Sequence, residues 1–421
     1  MTSPPRILTI MGSGETAPTM VKVHRELVNL VDPKRAVLLD TPYGFQENAP
    51  ELALRAVDYF KTSVNIEIIP AGLGRIKGAD SLALQQGLNL LSDANYVFSG
   101  PGSPTYSLRQ WEGSGVPDLL LEKIRSGGMV TFASAAALTL GTRTIPVYEI
   151  YKCGEEPHWL NGLNLLKDVG ISAIVIPHFN NTEGGQHDTR FCYLGERRLS
   201  VLEQELQTTE YVLGVDEHTA LIIDFNISSA RVVGNGVVTL RFDSTSRTFP
   251  AGETIPLALL QNPRNDSFPL RTSPELPAIK KESIHVTGQN LISLRAAAEA
   301  RKAEFDGAFA VRDSSAATRA ALDLEADIRQ WSADTLTGPD GDFARNIFRG
   351  MILKLGEAAM SGLVDPRNSV APYIEAILAI RKVVREEKRY ELSDIIRDVL
   401  AKNRVEVRDT PDGVEWILQE P

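Results

Sequence analysis

In the first half of the chain, short continuous apolar runs alternate with segments whose apolar residues fall at helical spacing. The runs are Ile7–Met11, Arg35–Asp40, Val64–Pro70, Ala94–Phe98 and Met129–Ala133. Between them lie the amphipathic stretches Glu51–Lys61, Ser81–Ser92 and Asp118–Arg125. A strand that is apolar at successive positions is covered on both faces, so strands of this kind separated by helices predict an α/β fold with a mostly parallel sheet in three layers, α/β/α. In such sheets chemistry gathers at the carboxyl ends of the strands. Three loops are expected there: Gly12–Glu15, Ser99–Pro104 and the turn at Ser134.

From Tyr211 the runs become short and closely spaced: Tyr211–Val215, Ala220–Asp224, Ala230–Val233 and Val237–Phe242, with Gly234-Asn235-Gly236 as a turn. They predict a β-rich completion of the first domain. Pro263, Pro269, Pro274 and Pro277 then punctuate a polar stretch that reads as a linker. Beyond it the chain is Ala-rich with helical spacing over Ala316–Trp331, Asp342–Met360, Ala371–Glu387 and Leu392–Lys402, and Gly362 suits a helix end. The strands Val405–Arg408 and Val414–Leu418 flank Asp409–Gly413, a hairpin pattern. The expected organisation is therefore a hydrolase-sized domain over 1–262, a linker over 263–285 and a smaller α-helical domain over 286–421 that ends in a β-hairpin.

Composition narrows this little. At 421 residues, two domains are the natural expectation, and 43% hydrophobic with 23% charged residues is ordinary for a globular protein. A net charge of -10 argues against a general nucleic-acid or anionic-membrane binder. Two cysteines, Cys153 and Cys192, make neither a disulfide framework nor a metal cluster, and fit a reducing compartment. No stretch is long and apolar enough for a membrane span or a secretion signal, so a cytoplasmic protein with no cofactor is expected.

Chemistry is suggested at Ser134. A serine at a sharp strand-to-helix turn exposes its oxygen and places helix N-terminal amides around a reacting carbonyl. The same residue also suits a plain helix N-cap before Ala135–Leu140. His178 follows the apolar run Ala173–Pro177 and so belongs at another strand end, where an imidazole can take and return the serine proton. His158, His187 and His218 are its rivals, and Asp216 and Glu217 are carboxylates available to orient it. The turn Gly100–Ser103 offers the Gly102 amide, and Ala135 a second, for an oxyanion hole.

Four separated motifs carry a resemblance. They are Ser99-Gly100-Pro101-Gly102-Ser103-Pro104-Thr105-Tyr106, Thr131–Ala137 around Ser134, Pro177-His178-Phe179, and Gly214-Val215-Asp216-Glu217-His218-Thr219-Ala220. In order and spacing they resemble the cyanophycinase and dipeptidase E group of serine peptidases, which have the class I glutamine amidotransferase-like fold. The resemblance covers roughly residues 5–260. It implies a serine peptidase or amide hydrolase, possible cleavage of isopeptide bonds included, with Ser134 as nucleophile, His178 as base and Glu149 as the acid that orients it. It also implies a homodimer. Two positions depart from the pattern: the family's small residues around the nucleophile are replaced by Phe132 and Ala136. These departures keep open a catalytically silent protein that binds a small molecule in the same cleft.

The tail resembles another family. Leu322–Thr335, Arg389–Leu400 and Glu406–Trp416, the last containing VRDTPDGVEW, are similar to the C-terminal helical region of cysteinyl-tRNA synthetases. The synthetase's nucleotide-binding signatures are absent, so aminoacylation is not expected. A translation-linked factor that contacts tRNA through this tail is the remaining alternative. Arg381–Arg408 holds nine basic and six acidic residues, a pattern commoner on a solvated helix face than on an RNA site.

Overall fold

The computed structural model describes residues 4–183, 187–243, 245–265, 293–331, 339–361, 366–410 and 413–419. The expected linker 263–285 lies almost wholly outside the described residues, as does Gly362. The strands, in chain order, are β1 (Arg6–Met11), β2 (Ala36–Leu38), β3 (Ile68–Pro70), β4 (Tyr96–Ser99), β5 (Gly128–Ala133), β6 (Arg143–Thr144), β7 (Leu160–Asn161), β8 (Ala173–Ile176), β9 (Tyr211–Val215), β10 (Thr219–Asp224), β11 (Ser229–Gly234), β12 (Val237–Phe242), β13 (Thr245–Pro250), β14 (Thr254–Pro256), β15 (Val405–Thr410) and β16 (Gly413–Leu418).

An eight-stranded sheet runs in the order β14-β11-β10-β1-β5-β4-β2-β3. From β1 to β3 its neighbours are parallel, while β10, β11 and β14 extend it antiparallel beyond β1. The apolar runs of the first half thus form the parallel part, and the short strands after Tyr211 supply the antiparallel part. The sheet is mixed, with four parallel pairings to three antiparallel ones. A second sheet, β13-β12-β9-β8, has β8 and β9 parallel and the rest antiparallel.

Alternation along β1 shows why both faces are covered. Leu8 and Ile10 enter a core with Leu91, Trp111, Leu120 and Ile124, from the helices Ser81–Asp93, Pro104–Trp111 and Val116–Ser126. Ile7 and Met11 enter a second core with Val23, Leu27 and Tyr59, from Val21–Val31 and Ala49–Tyr59. Each buried Leu or Ile side chain contributes roughly 1.5–3 kcal/mol of burial free energy, so the fully buried strands define the layer order before any polar contact matters.

The chain divides into two compact units, residues 1–296 with 327–342, and residues 297–326 with 343–421. They interleave along the chain instead of meeting at one linker. The tail is helical as expected, over Leu294–Ala310, Ser314–Trp331, Pro339–Ser361, Pro366–Glu386 and Tyr390–Lys402, and it ends in the β15–β16 hairpin. The first of these helices was not anticipated, because its apolar face is made largely of alanine. In the second unit Ile374, Leu400 and Val405 are buried, and Trp416 packs against them. Arg381 is buried and forms a two-pronged ion pair with Asp409 at 2.8 and 3.1 Å, tying the helix Pro366–Glu386 to the hairpin.

Candidate active site

Ser134 stands where β5 turns into the short helix Ser134–Leu138, with φ at 50°. A residue with a β-carbon is disfavoured in that left-handed region and is held there only by its surroundings. Part of the restraint is the Ala136 N–H, which donates to the Gly100 carbonyl at 3.2 Å and ties the turn to the Ser99–Pro104 loop. The geometry departs from a simple helix N-cap, since the Ser134 hydroxyl lies 2.9 Å from Nε2 of His178 instead of on its own helix.

His178 follows β8 and is also left-handed, with φ at 49°. Its backbone N–H donates to Gly12 O at 3.3 Å, fixing it to the loop after β1. The imidazole is 3% exposed, too little for water to compete at both nitrogens. Nδ1 donates to Glu217 Oε1 at 2.9 Å, which leaves Nε2 to accept from Ser134. Glu217 also accepts from Asn181 Nδ2 at 3.0 Å, and its own N–H donates to Asn180 Oδ1 at 2.8 Å. Burial pushes the Glu217 carboxyl up, but the hydrogen bond and charge of His178, the bond from Asn181 and the His218 charge together hold it below its ordinary range.

The carboxylate beside His178 is therefore Glu217, and Glu149 does not occupy that place. Strand register explains the difference. β8 and β9 run parallel, with Ala173 opposite Tyr211 and Ile176 opposite Gly214. Continued past the strand ends, that register brings His178 level with Asp216, one residue from Glu217. Glu149 instead sits half-buried on the helix Val147–Tyr151, where its carbonyl accepts from Glu155 N–H at 3.0 Å. The Gly214–Ala220 motif was the available signal, because its two carboxylates end a strand that neighbours the strand of His178.

Of the other expected residues, Gly102 lies in the loop after β4 and Ala135 in the turn after β5. Gly102 has φ at 140°, and a β-carbon there would lie 2.0 Å from Pro42 O, so the loop requires glycine. Ser103 then donates its N–H to Pro42 O at 2.8 Å. Ala135 follows Ser134 directly and is buried in the same turn. Phe132 points away from the turn into the core, with its ring 5.8 Å from that of Trp111. Its bulk is accommodated by the packing layer and does not press on Ser134.

Glu15, from the loop after β1, is 1% exposed, and burial raises its pKa. Asp216 is pushed up to about 6 by burial, against the opposing hydrogen bond it accepts from Val237 N–H at 3.0 Å. His218 lies beside Glu217 with Nδ1 2.9 Å from the Thr19 hydroxyl. Tyr193 packs near His178 with ring centroids 6.2 Å apart, and its hydroxyl donates to Glu183 at 2.7 Å. His158 is on the surface, and Arg190 is bound by Asp188 through two contacts of 2.9 Å. Among the described residues, no group of three His, Cys, Asp or Glu side chains could hold a metal ion. Among the same residues, no helix is long and apolar enough to cross a membrane.

With this geometry in view, the comparisons divide along the chain's two resemblances. The chain is similar in structure to a peptidase from an acI-B1 actinobacterium, at TM-score 0.49 and 22% identity, over 60% of this chain and 97% of that one. It is also similar to a candidate peptidase E protein from Listeria monocytogenes EGD-e, at TM-score 0.36 and 15% identity, over 55% and 98% of the two chains. Stretches of sequence match cysteine-tRNA ligases. With that of Petrotoga mobilis the chain is 54% identical over 43 residues, 10% of this chain and 9% of the ligase. With that of Salinibacter ruber it is 36% identical over 116 residues, 25% and 22% of the two. The chain thus spans no more than about a quarter of the length of these ligases. No protein-family model matches.

Proposed function

We propose that the first unit hydrolyses an amide or peptide bond through an acyl-enzyme on Ser134. The observation that carries this is the hydrogen-bonded series Ser134 Oγ, His178 and Glu217, with both links at 2.9 Å and the serine in a left-handed turn at a strand end. In the first step the Ser134 oxygen bonds to the carbonyl carbon while its proton passes to His178 Nε2. Glu217 holds the tautomer and stabilises the imidazolium. The amides of Gly102 and Ala135 are the donors for the oxyanion. The C–N bond then breaks, the leaving amine takes the proton from Nε2, and water repeats the sequence on the ester.

Incubation with a fluorophosphonate followed by intact-mass spectrometry tests this. One adduct on the wild type, absent from Ser134→Ala and slowed in His178→Ala, is the expected result. No adduct on the wild type would leave the cleft as a binding site for a small molecule. The two free cysteines, Cys153 and Cys192, suit a reducing, cytoplasmic setting, and a homodimer is the assembly to test by light scattering.

The ligase similarity favours a second reading for the tail, contact with tRNA. Two of its cations, Arg381 and Arg385, are engaged by Asp409 and are not free for phosphate. A gel shift with bulk tRNA that weakens as salt rises would support the contact, and no shift at low salt would remove it.

A further inference from the structure

The turn between β9 and β10 carries Glu217, and the next residue, His218, is held from several sides. Its φ is 53°, a conformation that a residue with a β-carbon leaves unless restrained. Its N–H donates to Ser13 O at 3.2 Å, and its carbonyl accepts from Asn235 N–H at 3.0 Å. Around the ring, Thr19 meets Nδ1 at 2.9 Å, and the face lies so close to Gly14 that a β-carbon there would sit 2.2 Å from Nδ1. The ring of Trp331 also meets it, edge-on at 5.6 Å between centroids and 77° between planes.

Trp331 is the last residue of the helix Ser314–Trp331 and is 5% exposed. It belongs to the first unit, which takes in residues 327–342 as well as 1–296. A tryptophan buries a large apolar area and has a specific edge-to-face preference, so it restrains a ring more firmly than a smaller side chain would. The contact therefore reaches the acid of the relay through a single peptide link.

We propose that Trp331 is a positioning residue for the site: it clamps the His218 ring and thereby fixes the turn that presents Glu217 to His178. The last turn of that helix, residues 327–331 of the first unit, is then a working part of the site, although it lies far from β9 in sequence. This rests on the hydrolase reading for its effect on rate, but the clamp itself can be measured without any substrate.

The test uses the full chain as wild type, Trp331→Ala, Trp331→Leu and Trp331→Phe. Two quantities are read: hydrogen exchange of the 216–219 amides, and the rate of fluorophosphonate labelling of Ser134. In Trp331→Ala, exchange at 216–219 should accelerate while that of β1 and β5 stays unchanged, and labelling should slow by roughly ten- to a hundredfold, the scale of a sub-ångström to 1 Å misplacement. Trp331→Phe should restore both. If Trp331→Ala fails to fold, Trp331→Leu carries the comparison, since it keeps apolar volume without an aromatic edge. Unchanged exchange at 216–219 in a folded variant lacking the ring overturns the proposal, whatever the labelling shows. A wild type that is never labelled removes the hydrolase reading, and local acceleration rescued by phenylalanine would still sustain the clamp.

Discussion

Two glutamates compete for one imidazole, and the separation between them is a matter of covalent reach. Glu217 is delivered by a strand paired in register with the strand of His178, whereas Glu149 rides a separate short helix. Glu217→Gln should reduce fluorophosphonate labelling of Ser134 by about a thousandfold or more, the scale seen when an orienting carboxylate is lost. Glu149→Gln should leave the rate within about twofold, and labelling kinetics on the two variants read the difference directly. Phe132 teaches a related lesson. From the sequence it departs from a small-residue pattern beside the nucleophile, yet its ring fills the core against Trp111. Phe132→Gly would place a small residue beside the nucleophile and still destabilise the protein, by about 3–5 kcal/mol from lost burial and the cavity left behind. A denaturant melt should show a lower midpoint with an unchanged slope.

At the scale of elements, loops and strand ends set the site. Gly102→Ala places a β-carbon against Pro42 O and imposes a backbone conformation that alanine rarely adopts. It should cost about 1–3 kcal/mol of stability and slow labelling of Ser134. Asp216, at the end of β9, accepts from the first residue of β12 while its pKa is raised to about 6. A carboxyl raised in the folded state favours folding below its unfolded pKa, and that contribution is lost as pH rises through about 6. Asp216→Asn keeps an acceptor without the charge. It should therefore stabilise the protein at pH 7 by about 2 kcal/mol, with the gain shrinking towards zero near pH 4, as thermal melts across pH would show. The strands of the first half were legible because they are apolar on both faces. The orientation of the added strands β10, β11 and β14 was not, since alternation reports burial and says nothing of direction.

At the scale of the molecule, each unit has its own core and its own fastening. In the second unit the buried Arg381 guanidinium depends on Asp409, a residue of the VRDTPDGVEW segment. Asp409→Ala leaves that charge without its two-pronged partner and should destabilise this unit by about 1–3 kcal/mol, moderated because Asp409 is itself partly exposed. Calorimetry should show a lower transition for the second unit, with Ser134 labelling unaffected. Trp416, on the closing hairpin, packs against this small core. The interleaving of the units, with 327–342 joined to the first, could not be read from composition, because the boundary falls inside one continuous helical pattern.

The sequence by itself determined the alternation of strands and helices, and the helical tail with its closing hairpin. Both follow from local periodicity, whereas the meeting of Ser134, after β5 of the first sheet, with His178, after β8 of the second, took the tertiary structure. Tertiary structure alone decided which carboxylate reaches His178, where the Phe132 ring goes and what holds the His218 turn. Those outcomes depend on strand register and on side chains that approach from distant parts of the chain. Spacing along the sequence carries neither kind of information.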